Sequence, residues 1–284
     1  MAKAGPSTDI KKVTPTSNSL ALPEYLRNEK VEGIAVLKQY VIIPRLKIIQ
    51  KTADPKFREK FSTGSVCVVP TLDQVVLNVV DARGNPAAQG PTFEFVPLFF
   101  FPSWATLNDF KLKGSEPTFL DFTLDENHPL VQKCRNRALR EENHPTQAGM
   151  KVRNIEMLNF VVLLRGVEAV AADQPVVMTF AKGEYMKGHD FAAAIKKSQA
   201  SIYARRWLAR PTHRPGTGKG DWYGFDVYPP EGNPFVSQEE YTQLKGVYGE
   251  LSDQHMKKGF KPDTSDEELG GEPAETPGGG DTQY

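Results

Sequence analysis

The sequence predicts a mainly β protein of the α+β class: an antiparallel barrel with extra strands, two helices and disordered termini. Three observations carry that expectation. The middle of the chain is a succession of short β-branched and aromatic segments separated by turn-forming residues. Only two segments have strong helical character, and they do not alternate with strands as the crossovers of a parallel sheet would. Apolar residues thin out at both ends, so the 39% hydrophobic content of the 284-residue chain is concentrated where the strands are expected. A chain of this length buries a sizeable core without metals or disulfides.

The elements follow in order. Residues 1–20, rich in Ser, Thr, Pro and Lys, read as a flexible arm. Residues 22–37 suit a short helix. Residues 40–50 (YVIIPRLKIIQ) are apolar and β-branched, but Pro44 points to an edge strand or an extended entry into the core. Strands are expected over 64–69 and 74–80, the second ended by the polar turn 81–86. Residues 92–101 (TFEFVPLFFF) form a third, with Phe93 and Phe95 on one face and Glu94 opposite. Residues 102–123 read as a hairpin or loop, and 128–142 as a polar, basic stretch.

Residues 152–167 are a long strand candidate and 175–180 a shorter one. The clearest helix runs from Asp190, a capping residue, to Ala209, with Pro211 closing it. A strand over 222–228 follows a glycine-rich turn. A final amphipathic helix over 237–251 opens with Ser237 and Glu240 at capping-box spacing. Strands first and helices late suit an elaborated five-stranded barrel of the OB type.

Two cysteines, Cys67 and Cys134, stand without CxxC pairing, which suits a reducing compartment and structural thiols. No apolar run is long enough to span a bilayer and the first residues lack a hydrophobic signal region, so a cytoplasmic protein is expected, in the host cytoplasm if phage-encoded. The segment 214–220 (RPGTGKG) fails as a phosphate-binding loop, because His213 stands in place of the first glycine and Gly220 in place of the magnesium-binding hydroxyl. His128, Cys134, His144 and Cys67 lack the short ligand spacing of structural zinc. There is no GxSxG elbow, HExxH helix or dinucleotide fingerprint, so neither enzyme chemistry nor a cofactor is expected.

Charge is more informative. Thirty-five basic and 35 acidic residues sum to zero, but the seven acids of 262–284 face no Lys or Arg, leaving residues 1–261 with a surplus of seven positive charges. Residues 182–219 hold nine cations against Glu184 and Asp190, which equals that surplus. On a helix, Lys196, Gln199, Tyr203, Arg206 and Arg210 form one stripe. Cations beside an aromatic ring are what a single strand of nucleic acid requires, for phosphates and for a stacked base. Arg205, Arg214, Lys219 and Trp222 extend the candidate, with Tyr185 and Tyr223 nearby, whereas Trp207 suits the core. A solvated helix face is the plainer account of such a stripe.

The tail is Gly-, Pro- and acid-rich and ends in Tyr284. A basic β-rich body, an acidic tail and a terminal aromatic resemble phage replication-type single-stranded-DNA-binding proteins, and bacterial ones share the tail logic. Here Tyr, not Phe, is terminal. The segment 44–50 (PRLKIIQ) also resembles an opening motif of phage proteins, with no role to carry over. The resemblance implies an OB-fold body and a tail that recruits replication or recombination proteins while competing with DNA. The expected layout is an arm over 1–20, a nucleic-acid-binding domain over 21–255 and a tail over 256–284. The rival readings are a virion or assembly protein whose basic face meets another protein, and an enzyme whose carboxylates only the fold gathers. An oligomer is compatible with all three.

Overall fold

The computed structural model describes residues 40–51, 61–69, 75–77, 92–108, 119–146, 148–168, 170–216 and 221–263. The expected arm over 1–20, the helix over 22–37 and the turn over 81–86 lie outside them, as does the tail beyond Asp263. What is described is mostly β with three α-helices, as the mainly β reading required.

Twelve strands are present among the described residues: β1 (Val41–Ile43), β2 (Arg45–Ile48), β3 (Val66–Val69), β4 (Val75–Leu77), β5 (Phe93–Leu107), β6 (Phe119–Thr123), β7 (Glu141–Asn143), β8 (Lys151–Arg165), β9 (Pro175–Ala181), β10 (Trp207–Arg214), β11 (Trp222–Tyr228) and β12 (Phe260–Pro262). The helices are α1 (Pro129–Arg135), α2 (Tyr185–Lys197) and α3 (Gln238–Lys258). Ten strands form one curled sheet in the order β11-β10-β5-β8-β9-β2-β3-β4, with β6 on β5 and β7 on β8. Strands β1 and β12 form a separate parallel pair.

The spine of the sheet is the antiparallel ladder of β5 with β8, two 15-residue strands. Strand β5 runs through Pro102 into the stretch expected as a hairpin or loop, where β6 pairs antiparallel with it, and holds Pro97 as well. Its second edge explains both prolines. Strand β10 pairs with Phe93 to Phe95 and β6 with Trp104 to Leu107, so the stretch between has no second ladder. A residue without N–H is tolerated there, and the register shift between Pro97 and Phe99 absorbs the first one. Pro44 acts differently. It lets the chain leave β1, which pairs with β12, and enter β2, which lies between β9 and β3 and not at an edge.

Both faces of the spine are apolar. On the inner face Phe93, Phe95, Phe160, Val162, Met178 and Phe180 form the main core, and α2 closes it with Phe191. The Phe191 ring lies 4.6 Å from Phe160 and 5.0 Å from Trp207. On the outer face Val96, Leu98, Phe101, Val161, Leu163 and Val177 are covered by α3 and by Phe260. Helix α3 presents Tyr241, Leu244, Tyr248, Leu251 and His255, a three-four repeat that keeps one stripe on the sheet. Ser237 caps it through Oγ accepting from the Glu240 N–H at 3.1 Å, but the Glu240 carboxylate turns instead to Arg165 at 2.7 Å. The helix extends past 251 and stops at Gly259, whose φ of 69° suits glycine and where a Cβ would strike Leu124. The described elements continue through α3 and β12 to Asp263, so residue 255 lies inside α3.

The third helix, α1, was hidden in the basic stretch 128–142. His128 caps it by accepting from the Leu130 N–H at 3.2 Å, and Leu130, Val131 and Cys134 pack around Trp104.

One side chain ties the two arms of the curled sheet together. The Gln50 carboxamide donates to the Tyr223 carbonyl at 2.9 Å and accepts from the Tyr223 N–H at 2.8 Å, imitating a strand partner for β11. Gln50→Ala leaves both backbone groups of Tyr223 without that partner. The expected result is a loss of about 1–3 kcal/mol, read as a lower urea midpoint at unchanged m-value.

Candidate nucleic-acid interface

The expected helix over 190–209 is not one element. Helix α2 ends at Lys197, where Ser198 Oγ donates back to the Ile195 carbonyl at 2.6 Å and Gln199 takes a φ of 53°. A short 3-10 turn spans Ile202–Ala204, and β10 follows. The strand period wins because Trp207, Ala209 and Pro211 alternate inward while Leu208, Arg210, Thr212 and Arg214 face the other way.

The stripe of Lys196, Gln199, Tyr203, Arg206 and Arg210 thus does not exist as a helix face. Lys196 lies in the last turn of α2. Tyr203 is only 6% exposed, and its ring sits 5.2 Å from both Tyr241 and Tyr248 of α3. Burial raises its pKa. It is a core residue that anchors α3, and no base reaches its face. Trp207 is buried, as expected.

The other cations gather around the β10–β11 hairpin. Its register sets Leu208 opposite Tyr228, Arg210 opposite Asp226, Thr212 opposite Gly224 and Arg214 opposite Trp222. Arg214 is a strut: its guanidinium reaches Asp226 at 2.7 Å and Glu184 at 3.2 Å. Glu184 also accepts from Trp222 Nε1 at 3.0 Å, and Asp226 from Thr212 Oγ1 at 2.9 Å. A Cβ at Gly224 would overlap the Glu184 carboxylate, so a larger residue there would displace that carboxylate from Arg214 and Trp222. Burial works against the Arg214 charge, but the bonds to Asp226 and Glu184 outweigh it and raise its pKa. Burial likewise opposes the Asp226 charge, and the bonds from Arg214 and Thr212 overcome it and lower its pKa. Arg214 and Trp222 therefore brace the hairpin.

Arg210 lies 3.9 Å from Asp226 and 5.5 Å from the centre of the Tyr228 ring. Arg206 lies 3.7 Å from Glu94 and donates to the carbonyls of Asn233 and Phe235. Arg205 has no carboxylate within ion-pair distance among the described residues. Its guanidinium lies 5.2 Å from the Trp207 ring and 5.4 Å from Phe235. At the hairpin turn Asp221 accepts from Gly216 N–H at 3.3 Å, Lys51 at 3.3 Å and His213 Nε2 at 3.1 Å, which together lower its pKa. Lys219 and the rest of 217–220 lie outside the described residues.

Two residues that sequence reasoning missed complete the surface. Phe235 is 47% exposed beside Arg205, and Tyr228 lies under Arg210. The signal for Phe235 was the segment 229–235 (PPEGNPF), a proline-fixed loop ending in an aromatic. Elsewhere, a groove of about 580 Å³ beside the start of α3 is lined by Arg165 against Asp173, Glu239 and Glu240, a balance that repels a polyanion.

The thiols are inert by position. Burial pushes Cys67 up to about 12 and Cys134 up to about 11. The Cys134 Sγ donates to the Ile155 carbonyl, and Cys67 belongs to a different apolar cluster. Among the described residues no group of three or more His, Cys, Asp and Glu is placed to hold a metal ion. No described helix is long and apolar enough to cross a membrane.

No protein-family model, curated protein or solved structure matches the chain.

Arg214→Ala strands two partly buried carboxylates, and a loss of about 1.5–3 kcal/mol is expected in urea melts. The Asp226 contribution has a definite pH sign. Its folded pKa lies below the ordinary 3.8, so it stabilises fully above that value and fades as pH falls through the lower folded one. Acid titrations of stability should lose much of that low-pH dependence in Arg214→Ala.

Proposed function

We propose that the chain is a non-catalytic single-stranded-DNA-binding protein of phage or bacterial DNA replication or recombination, built on an OB-like barrel. In this reading the acidic tail regulates binding and recruits replication or recombination partners. The observation that carries it is the path of five strands. β5, β8 and β9 form a meander, α2 follows, and the hairpin β10–β11 returns so that β10 lies antiparallel to β5. An OB barrel joins its strands in that order, with a helix between the third and fourth. Its connection between strands four and five is one of the places where oligonucleotides bind. Here that connection follows Arg214, holds Lys219 and begins on the strand that carries Arg210.

The arrangement departs from a simple OB barrel in two ways. Strands β2 and β3 stand where the third and fifth strands would meet. The outer face of the second and third strands, another usual ligand face, is apolar and covered by α3. Nucleic acid is therefore assigned to the hairpin side: Arg205, Arg206, Arg210, Tyr228, Phe235 and the 215–221 turn, with Lys196 contributing from the end of α2. Phosphates draw the cations and release counterions, and the exposed Phe235 ring and half-buried Tyr228 ring take bases.

The test is fluorescence anisotropy of labelled oligo-dT titrated with the full-length protein. Binding should weaken with salt at a log–log slope of about −2 to −3 for three or four neutralised phosphates, and duplex should compete poorly. Removing residues 264–284 should tighten binding at low salt, with the difference shrinking as salt screens the tail. No binding at low salt, even without the tail, would leave the assembly-protein reading in front.

A further inference from the structure

We propose that Phe235 is the platform on which an unpaired nucleobase stacks, with Arg205 fixed beside it as the phosphate-facing cation. The inference rests on the single-strand reading and assigns the stacking role that Tyr203 is too buried to play.

The first argument is that Phe235 is exposed without being loose. Its backbone bridges antiparallel to Arg205. The Phe235 N–H is held by Asn233 Oδ1 at 3.0 Å and its carbonyl by Arg206 Nη2 at 3.4 Å. On either side, Arg206 N–H donates to the Pro234 carbonyl at 2.7 Å and Val236 N–H to that of Ala204 at 3.1 Å. Pro229, Pro230 and Pro234 further restrict the loop. A ring on so constrained a backbone loses little entropy when a ligand stacks on it.

Layering supplies the second argument. Trp207 is buried, Arg205 lies over its ring, and Phe235 lies against Arg205. The guanidinium is flanked by two aromatic rings, which fix its position, and Phe235 remains 47% exposed at the end of the series. A flat, π-faced ligand extends such a series.

The charge pattern selects the ligand. Arg206 and Arg210 are offset by Glu94 and Asp226, whereas Arg205 faces no carboxylate among the described residues. An apolar ring beside an uncompensated guanidinium fits a base joined to a phosphate. An apolar peptide side chain would leave that charge unanswered.

The experiment uses full-length protein and two probes of equal length, oligo-dT and the corresponding abasic deoxyribose-phosphate chain. Phe235→Ala should weaken oligo-dT binding by about 5- to 100-fold, leave the salt slope unchanged and leave the abasic probe unaffected. Phe235→Trp should retain affinity and show indole fluorescence quenched by oligo-dT. Phe235→Leu, which keeps apolar bulk without a π face, should behave like Phe235→Ala and guards against loss by unfolding. If wild type binds oligo-dT and Phe235→Leu matches it within twofold, the platform is wrong while the DNA reading stands. Equal losses on both probes would overturn it too, since Phe235 would then act only by holding Arg205. Failure of the wild type to bind either probe, with or without the tail, would overturn the DNA reading itself and this inference with it.

Discussion

Between residues 93–101 of β5 and 160–164 of β8 the ladder is apolar on both of its faces, and much of the architecture answers that fact. A two-sided apolar ribbon must be covered twice. The inner cover comes from the curl of the sheet, which brings Phe225 and Trp207 over Phe93 and Phe95, and from α2, which inserts Phe191. The outer cover comes from α3 and Phe260, with Tyr203 wedged between Tyr241 and Tyr248. Burying aromatic rings on this scale is the main favourable contribution to the fold. It also dedicates to packing a face that a curled sheet could otherwise offer to a ligand. The proposed binding surface is accordingly assigned to the edge of the sheet where β10 and β11 project.

The charge count of the sequence is right and its interpretation needs the fold. Residues 182–219 carry the body's whole positive surplus, but folding brings acids to meet it from distant positions. Glu94 on β5 approaches Arg206, Asp226 on β11 reaches Arg210 and Arg214, and Asp221 takes His213 and Lys51. A guanidinium held by two carboxylates positions a hairpin better than it binds a phosphate. The proposed contacts are therefore weighted toward Arg205, which has no carboxylate within ion-pair distance among the described residues, and toward the segments on either side of the brace.

Much of the fold was legible because its signals are local. β11 lies over 222–228, the strand expected after the glycine-rich turn, β8 and β9 fall where their β-branched runs lie, and Ser237 opens α3. The failures have particular causes. Alanine and lysine propensity extended α2 through Ser198 and Gln199, where a side-chain bond and a positive φ end it. Pro97 and Pro102 hid the length of β5, because no local signal says which stretch of a strand lacks a second neighbour. At the site, Trp207 was legible as core. Tyr203 was misplaced because its partners are some forty residues away on α3, and Phe235 was missed because a loop aromatic has no period to betray it.

The hairpin's mode of attachment links the fold to the proposed activity. Strand β10 pairs with β5 only at Trp207, Leu208 and Ala209, so the rest of the hairpin lies beyond the ladder. Three side-chain devices hold it there: the Gln50 carboxamide on Tyr223, the Glu184–Arg214–Asp226 brace with Trp222, and the cluster around Asp221. Trp207 and Ala209 of β10 and Phe225 of β11 also join the main core, so the side-chain struts steady the part of the hairpin that projects past it. Phosphates near the 215–221 turn would compete with Asp221 for Lys51 and His213. Binding and hairpin position are then coupled through the same side chains. In the proposed reading, a single strand would meet the constrained Phe235 at one end of this surface and the cluster of Lys51, His213 and Asp221 at the other, an arrangement suited to gripping a chain whose sequence is not read.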